Sequence, residues 1–175
     1  MKTIMKGFKL TLKSTFLLAA IALYFSSCSK KDNPTPTPAP TGYASVTFAN
    51  VKSRDTLMTA NAIAGTSSSG VLLKKGDVLS YITKTGLYGK LQIDSIDITN
   101  NFALTIDATT YKADGTVSKQ IQGLVIEGTW SCDLDNLIET SDGDAADFFW
   151  ERETDTDTQI GPSNDAKFAK YTFKN

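Results

Sequence analysis

The stretch FALTIDATTYKADGTVSKQIQGLVI, residues 102–126, decides the fold class. Its Val, Ile, Thr, Tyr and Phe residues alternate with polar ones, the period-two pattern of a strand with one buried face. The run is broken once, at Lys112-Ala113-Asp114-Gly115-Thr116, where the Asp-Gly pair supplies the positive φ that a tight hairpin needs. Working outward, further runs of this kind fall at 44–51, 77–83, 87–93, 117–133, 147–152 and 168–173. Lys84-Thr85-Gly86 reads as a second hairpin turn. Gly123 lies inside a run too long for one ordinary strand, so a bulge or break is expected there. Residues 56–70 disperse Leu57, Met58 and Ile63 among small polar residues and read either as a strand with a loop or as a surface arm. No sustained 3.6-residue period and no internal repeat occur. The expectation is one all-β domain over 43–175, an antiparallel β-sandwich, with a small up-and-down barrel as the alternative.

The segment before this domain is of another kind. Lys2, Lys6, Lys9 and Lys13 form a basic start without acids, and an apolar core follows from Phe16 to Phe25. That core is shorter than the roughly 20 apolar residues of a transmembrane helix and reads as a cleavable export signal over 1–27. Ser26-Ser27-Cys28 resembles the lipobox of bacterial lipoproteins, and the Cys-Ser-Lys-Lys-Asp start is similar to lipoproteins of the Bacteroidetes group. The resemblance covers residues 1 to 32. It implies a mature chain that begins at lipid-modified Cys28 and is anchored in the outer membrane, at the cell surface or alternatively on the periplasmic face. Residues 28–42 then form the anchor and a tether, in which Pro34, Pro36, Pro38 and Pro40 alternate. Polyproline II rises about 3.1 Å per residue, so the ten residues 33–42 span roughly 30 Å.

Composition excludes much chemistry. The chain has no histidine, which removes the commonest general base, the Ser-His-Asp and Cys-His arrangements and the histidine-bearing zinc sites. No phosphate-binding glycine loop is present. With Cys28 lipidated, Cys132 has no partner for an internal disulfide, and it shares its parity with Leu124, Ile126, Trp130 and Leu134, so both Cys132 and Trp130 are expected in the core. No catalytic residue is assigned, and an enzyme is not expected. A hydrolase built on two carboxylates is the one catalytic alternative that the residue types allow.

After loss of the export signal, 14 basic side chains face 19 acidic ones, a net charge of −5, which argues against nucleic acid as a partner. Ten of the acids crowd into 133–157 with Arg152 as the one base among them. Asp142, Asp144, Asp147, Asp155 and Asp157 are candidate Ca²⁺ ligands by residue type, although their spacing is not that of an EF-hand, and a solvated acidic face is the plainer reading. In Phe148-Phe149-Trp150 the middle ring must point away from its neighbours, and Tyr88 falls on the polar parity with Lys90 and Gln92. Phe149 and Tyr88 are therefore the candidate contacts for a glycan or an envelope protein, with cross-strand packing the competing explanation. Asp55-Thr56-Leu57 and Asp94-Ser95-Ile96 resemble the short sequons that Bacteroidetes glycosylate, which marks Thr56 and Ser95 as candidate O-glycosylation sites. The expected function is a lipid-anchored envelope protein with a non-enzymatic binding or interaction domain. A glycan-binding accessory protein and a purely structural envelope component are the alternatives.

Overall fold

The structure is a computed structural model, and it describes residues 41–173. Cys28, the expected export signal and the proline run as far as residue 40 lie outside the described residues. Eleven strands follow in chain order: β1 (Ile63–Ser67), β2 (Gly70–Val71), β3 (Val78–Ile82), β4 (Tyr88–Asp97), β5 (Ala103–Tyr111), β6 (Val117–Ile126), β7 (Trp130–Asp133), β8 (Ile138–Thr140), β9 (Phe148–Arg152), β10 (Thr158–Pro162) and β11 (Lys167–Tyr171). They form two antiparallel sheets, one in the order β2-β1-β10-β9-β7-β8 and the other in the order β11-β3-β4-β5-β6. Neither sheet closes on itself, so the sandwich is the fold and the barrel alternative is set aside.

Alternation explains the layers. In β3 to β5 the residues Leu79, Tyr81, Leu91, Ile93, Leu104, Ile106 and Ala108 turn inward, where they meet Cys132, Phe148, Trp150 and Ile160 from the six-stranded sheet. Polar groups join the two sheets within this apolar layer. The Thr110 hydroxyl donates to the Leu134 carbonyl at 2.6 Å, which leaves its oxygen to accept from the Tyr81 hydroxyl at 2.7 Å. The Trp150 Nε1–H donates to the Phe102 carbonyl at 2.7 Å. Its ring occupies the space over Gly65, where a Cβ would collide with the indole.

Several expectations need correction. Residues 44–51 are not a strand but a 3-10 turn, Gly42–Ser45, followed by the short helix α1, Phe48–Lys52. A reciprocal cap explains this, since the Thr47 hydroxyl accepts from the Asn50 N–H while Asn50 Oδ1 accepts from the Thr47 N–H. Val46 and Val51, both buried, then fall on one side of the helical segment. This segment packs Val46, Phe48, Val51 and Met58 on the outer face of the five-stranded sheet, against Val78, Tyr88 and Tyr111. Lys90 secures it by donating to the Tyr43 and Val46 carbonyls, each at 2.7 Å, with its ammonium 4.1 Å from the Tyr43 ring.

The run 117–133 is two strands, β6 and β7, parted at residues 127–129 and shared between the two sheets. Gly128 sits against the Asn101 backbone, where a side chain does not fit, and Thr129 takes a positive φ of 73°. Gly123 is a bulge, with the register shifting opposite Asp107, whose carboxylate accepts the Gly123 N–H. Trp130 does not fill the core: it stands at the end of the sheet, 39% exposed. Within 56–70 lie a 3-10 turn, Asp55–Leu57, and the hairpin β1–β2. Both expected hairpin turns are present, with Gly86 and Gly115 at φ of 86° and 85°.

Two destabilising substitutions test the joining of the sheets. Gly65→Ala should cost about 1–3 kcal/mol by driving a methyl into the Trp150 ring. Thr110→Val should cost roughly 1–3 kcal/mol by leaving the Leu134 carbonyl without its donor. Chemical denaturation measures both, and unchanged midpoints would contradict this account of how the layers are held.

Candidate functional site

After α1 the chain turns through Ser53 and Arg54 into the 3-10 turn Asp55–Leu57 and then pairs briefly with β11. Thr59 and Phe168 exchange both backbone hydrogen bonds, at 2.9 and 3.0 Å. The pairing holds the helical segment beside the edge strand and leaves a groove between them. Two adjoining cavities of about 610 and 380 Å³ share Arg54 and Leu57 in their walls. Tyr171, Thr172 and Phe173 complete the larger one together with Ser45, Asn50 and Ser53. Lys170, Phe168 and Asn61 are among those that line the smaller.

Arg54 is the centre of this groove. Its guanidinium carbon lies 4.9 Å from the Tyr171 ring centroid, and Nη2 donates to the Lys170 carbonyl at 2.8 Å. Nε is buried without an acceptor. Among the described residues no carboxylate pairs with Arg54, whereas Arg152 pairs with Asp155 at 2.7 Å and Lys170 with Asp77 at 2.8 Å. None of the residues lining either cavity is acidic. In a domain with a surplus of acids, the walls of these two cavities carry only cationic and neutral side chains. Leu57 is 57% exposed at the rim, and Phe173 packs edge-on to Tyr171 with centroids 5.0 Å apart.

The acids assemble elsewhere, and differently from the expected set. Asp142 and Asp144 stay on an exposed loop, Asp155 is taken by Arg152, and the Asp157 carboxylate accepts from the Thr156 hydroxyl. Of the five expected ligands, only Asp147 enters a close group. Its partners are Asp133 and Asp135, with one oxygen from each residue within 4.8 Å of the others. Asp147 is fully buried and accepts the backbone N–H of Lys84 at 2.7 Å and that of Leu134 at 2.6 Å, which ties the β3–β4 turn to the chain following β7. Asp135 accepts from the Thr85 hydroxyl through one oxygen, while the other is buried without a partner. Burial pushes the Asp147 carboxyl up to about 6; the two amides oppose this, and the charges of Asp135 and Asp133 add to it. Cys132, also buried, has its thiol pushed well above the usual range by burial and neighbouring carboxylates, so it remains protonated and inert.

The two candidate aromatic contacts do not share a surface. Phe149 is half-buried and points away from the core beneath the six-stranded sheet. Tyr88 lies under the helical segment on the five-stranded sheet, edge-on to Phe48 at 6.0 Å, with its hydroxyl donating to Asp55 at 3.1 Å. Thr56 and Ser95 are both exposed, the latter beside a bulge in β4. Sequence reading missed Arg54, Asn50, Tyr171 and Phe173. The one signal available was that Arg54 is one of only two arginines in the chain. Among the described residues no helix is long and apolar enough to cross a membrane. Comparison with protein-family models, with curated proteins and with solved structures returned no match.

The Asp147 carboxyl provides a pH prediction. Its folded pKa is raised, so the folded state holds the proton more tightly, and the stabilisation from this group is complete below the ordinary carboxylate pKa and lost as pH rises through about 6. A carbon-detected NMR titration should find the Asp147 midpoint near 6 and a lower midpoint in Asp135→Asn. A midpoint in the ordinary carboxylate range in the unmodified protein would contradict the assignment.

Proposed function

We propose that the chain is a lipid-anchored outer-membrane protein whose β-sandwich is a non-enzymatic binding module, with its ligand in the groove between the α1 segment and β11. The groove carries the reading. Here Arg54, a cation without a carboxylate partner among the described residues, meets exposed aromatic and apolar side chains around a cavity of ligand size. The anchoring half of the proposal rests on the basic start, the short apolar core and Ser26-Ser27-Cys28. The alternating prolines that follow supply a spacer between lipid and domain, and display at the cell surface is the arrangement in which a spacer gives such a groove access to external ligands.

A catalytic reading finds less support. The carboxylates of Asp133 and Asp147 are engaged with backbone amides, as are those of a structural pin, and none of the cavities described above reaches them.

Each half has its own test. Cys28→Ala should abolish incorporation of a labelled fatty acid and move the protein from the membrane to the soluble fraction, and unchanged labelling would overturn the anchor. Protease treatment of intact cells should remove the domain, whereas protection until lysis would place it on the periplasmic face. A photo-crosslinking side chain at Leu57 of the full-length protein should capture a cell-envelope ligand that the same group at Gln120, on β6, does not. Equal capture at both positions would overturn the groove as the binding site.

A further inference from the structure

The polar lining of the groove specifies what kind of ligand it suits. The Ser45 hydroxyl donates to the Gly42 carbonyl and the Ser53 hydroxyl to the Asn50 carbonyl, each over a short distance of 2.7 or 2.8 Å. Each serine has one proton and both residues line the cavity, so toward a ligand the two hydroxyl oxygens can act only as acceptors. Asn50 spends Oδ1 on Thr47, while its amide N–H groups have no acceptor among the described residues. Of the five donors of Arg54, one is committed to a carbonyl and Nε is buried, which leaves the outer Nη1 and Nη2 protons for a ligand. The wall thus combines acceptors for ligand hydroxyls, neutral donors and one cation, next to the rings of Tyr171 and Phe173.

From this lining we infer that the groove binds an acidic sugar, a hexuronate unit of a glycan, with its carboxylate on Arg54 and its pyranose ring against the exposed Phe173, beside the Tyr171 ring that carries the guanidinium. This rests on the reading of the groove as the binding site. A carboxylate matches the guanidinium fork by parallel hydrogen bonds. The ring hydroxyls match Asn50 and the two serines, and the C–H face of a pyranose is apolar enough to pack on an aromatic ring. A peptide fits less well. It would bind an edge strand through its backbone, but the outer edge of β11 is already engaged: Phe168 bonds Thr59 through both backbone groups, and the Lys170 carbonyl accepts from Arg54. A simple carboxylate would use the guanidinium alone and leave the serines and Asn50 to water.

Calorimetric titration of the full-length protein with a hexuronate trisaccharide, its methyl ester and a peptide ending in a free carboxylate tests the inference. The acid should bind, and the ester should bind roughly ten- to a hundredfold more weakly through loss of the charge-assisted bonds. Arg54→Gln should weaken the acid by a similar factor and remove the difference between acid and ester. Arg54→Lys should recover part of it. The ester comparison is made on the unmodified protein, so the test holds even if a variant at Arg54 fails to fold. Equal binding of acid and ester, tighter binding of the peptide, or binding of none of the three would overturn the acidic-sugar assignment. A positive photo-crosslink at Leu57 together with any of these results would leave the groove as the binding site and remove only the assignment of its ligand.

Discussion

The indole of Trp150 joins the two sheets, and much of the domain is arranged around it. It belongs to β9 in the six-stranded sheet, covers Gly65 of β1 in that same sheet, and donates its N–H to the Phe102 carbonyl at the start of β5 in the other. An indole buried in a core needs a hydrogen-bond acceptor, and here that acceptor is supplied from across the sandwich. The requirement fixes both the spacing of the layers and the entry of the chain into β5. Phe148 and Phe168 pack edge-on nearby at 5.8 Å, and Tyr81 lies 5.9 Å from Phe168, so an aromatic row extends from β9 to β11 and β3.

Polar pins add specificity to this apolar contact. Tyr81, Thr110 and the Leu134 carbonyl form one chain of hydrogen bonds that ends on the carbonyl as acceptor, and Asp147 gathers two backbone amides from different parts of the fold. Buried polar groups of this kind are costly unless satisfied, and satisfaction depends on register. A strand shifted by one residue would turn its apolar set outward and break these bonds together. The price of the arrangement is borne by Asp147, whose raised pKa records a carboxylate held out of water beside two others.

The helical segment before β1 has a separate role. An antiparallel sheet can leave one face to solvent, but here the outer face of the five-stranded sheet carries Val78, Tyr88 and Tyr111, and Val46, Val51 and Met58 cover them. Lys90 caps two carbonyls of the covering segment. That cover creates the groove, because it brings Arg54 onto Tyr171. Side chains from the two ends of the domain thereby form one cation–aromatic wall.

Much of the fold was legible from residues alone. Period-two alternation and the Asp114-Gly115 and Thr85-Gly86 turns identify the β3–β6 meander, because strand periodicity and turn chemistry are local properties. Alternation also placed Phe149 opposite Phe148 and Trp150. It misled at 44–51, where the Thr47–Asn50 cap wins over an accidental strand-like pattern, and at Trp130, whose apolar parity is correct but whose place at the end of a sheet leaves it open to water. Strands β2 and β8 carry too few residues for a pattern to emerge, and β1 and β10 each hold a single isoleucine among small and polar residues. The site was scarcely legible at all. Spacing along the chain does not reveal that Asp147 joins Asp133 and Asp135 instead of Asp155 and Asp157, or that Arg54 pairs with no carboxylate among the described residues. By itself the sequence determined the strand-rich class, the turns and the surplus of negative charge, all of which follow from nearest neighbours and composition. Only the tertiary structure decided which charges meet and which remain without partners, because those contacts depend on the order of strands in the sheets and on the segment that packs over them.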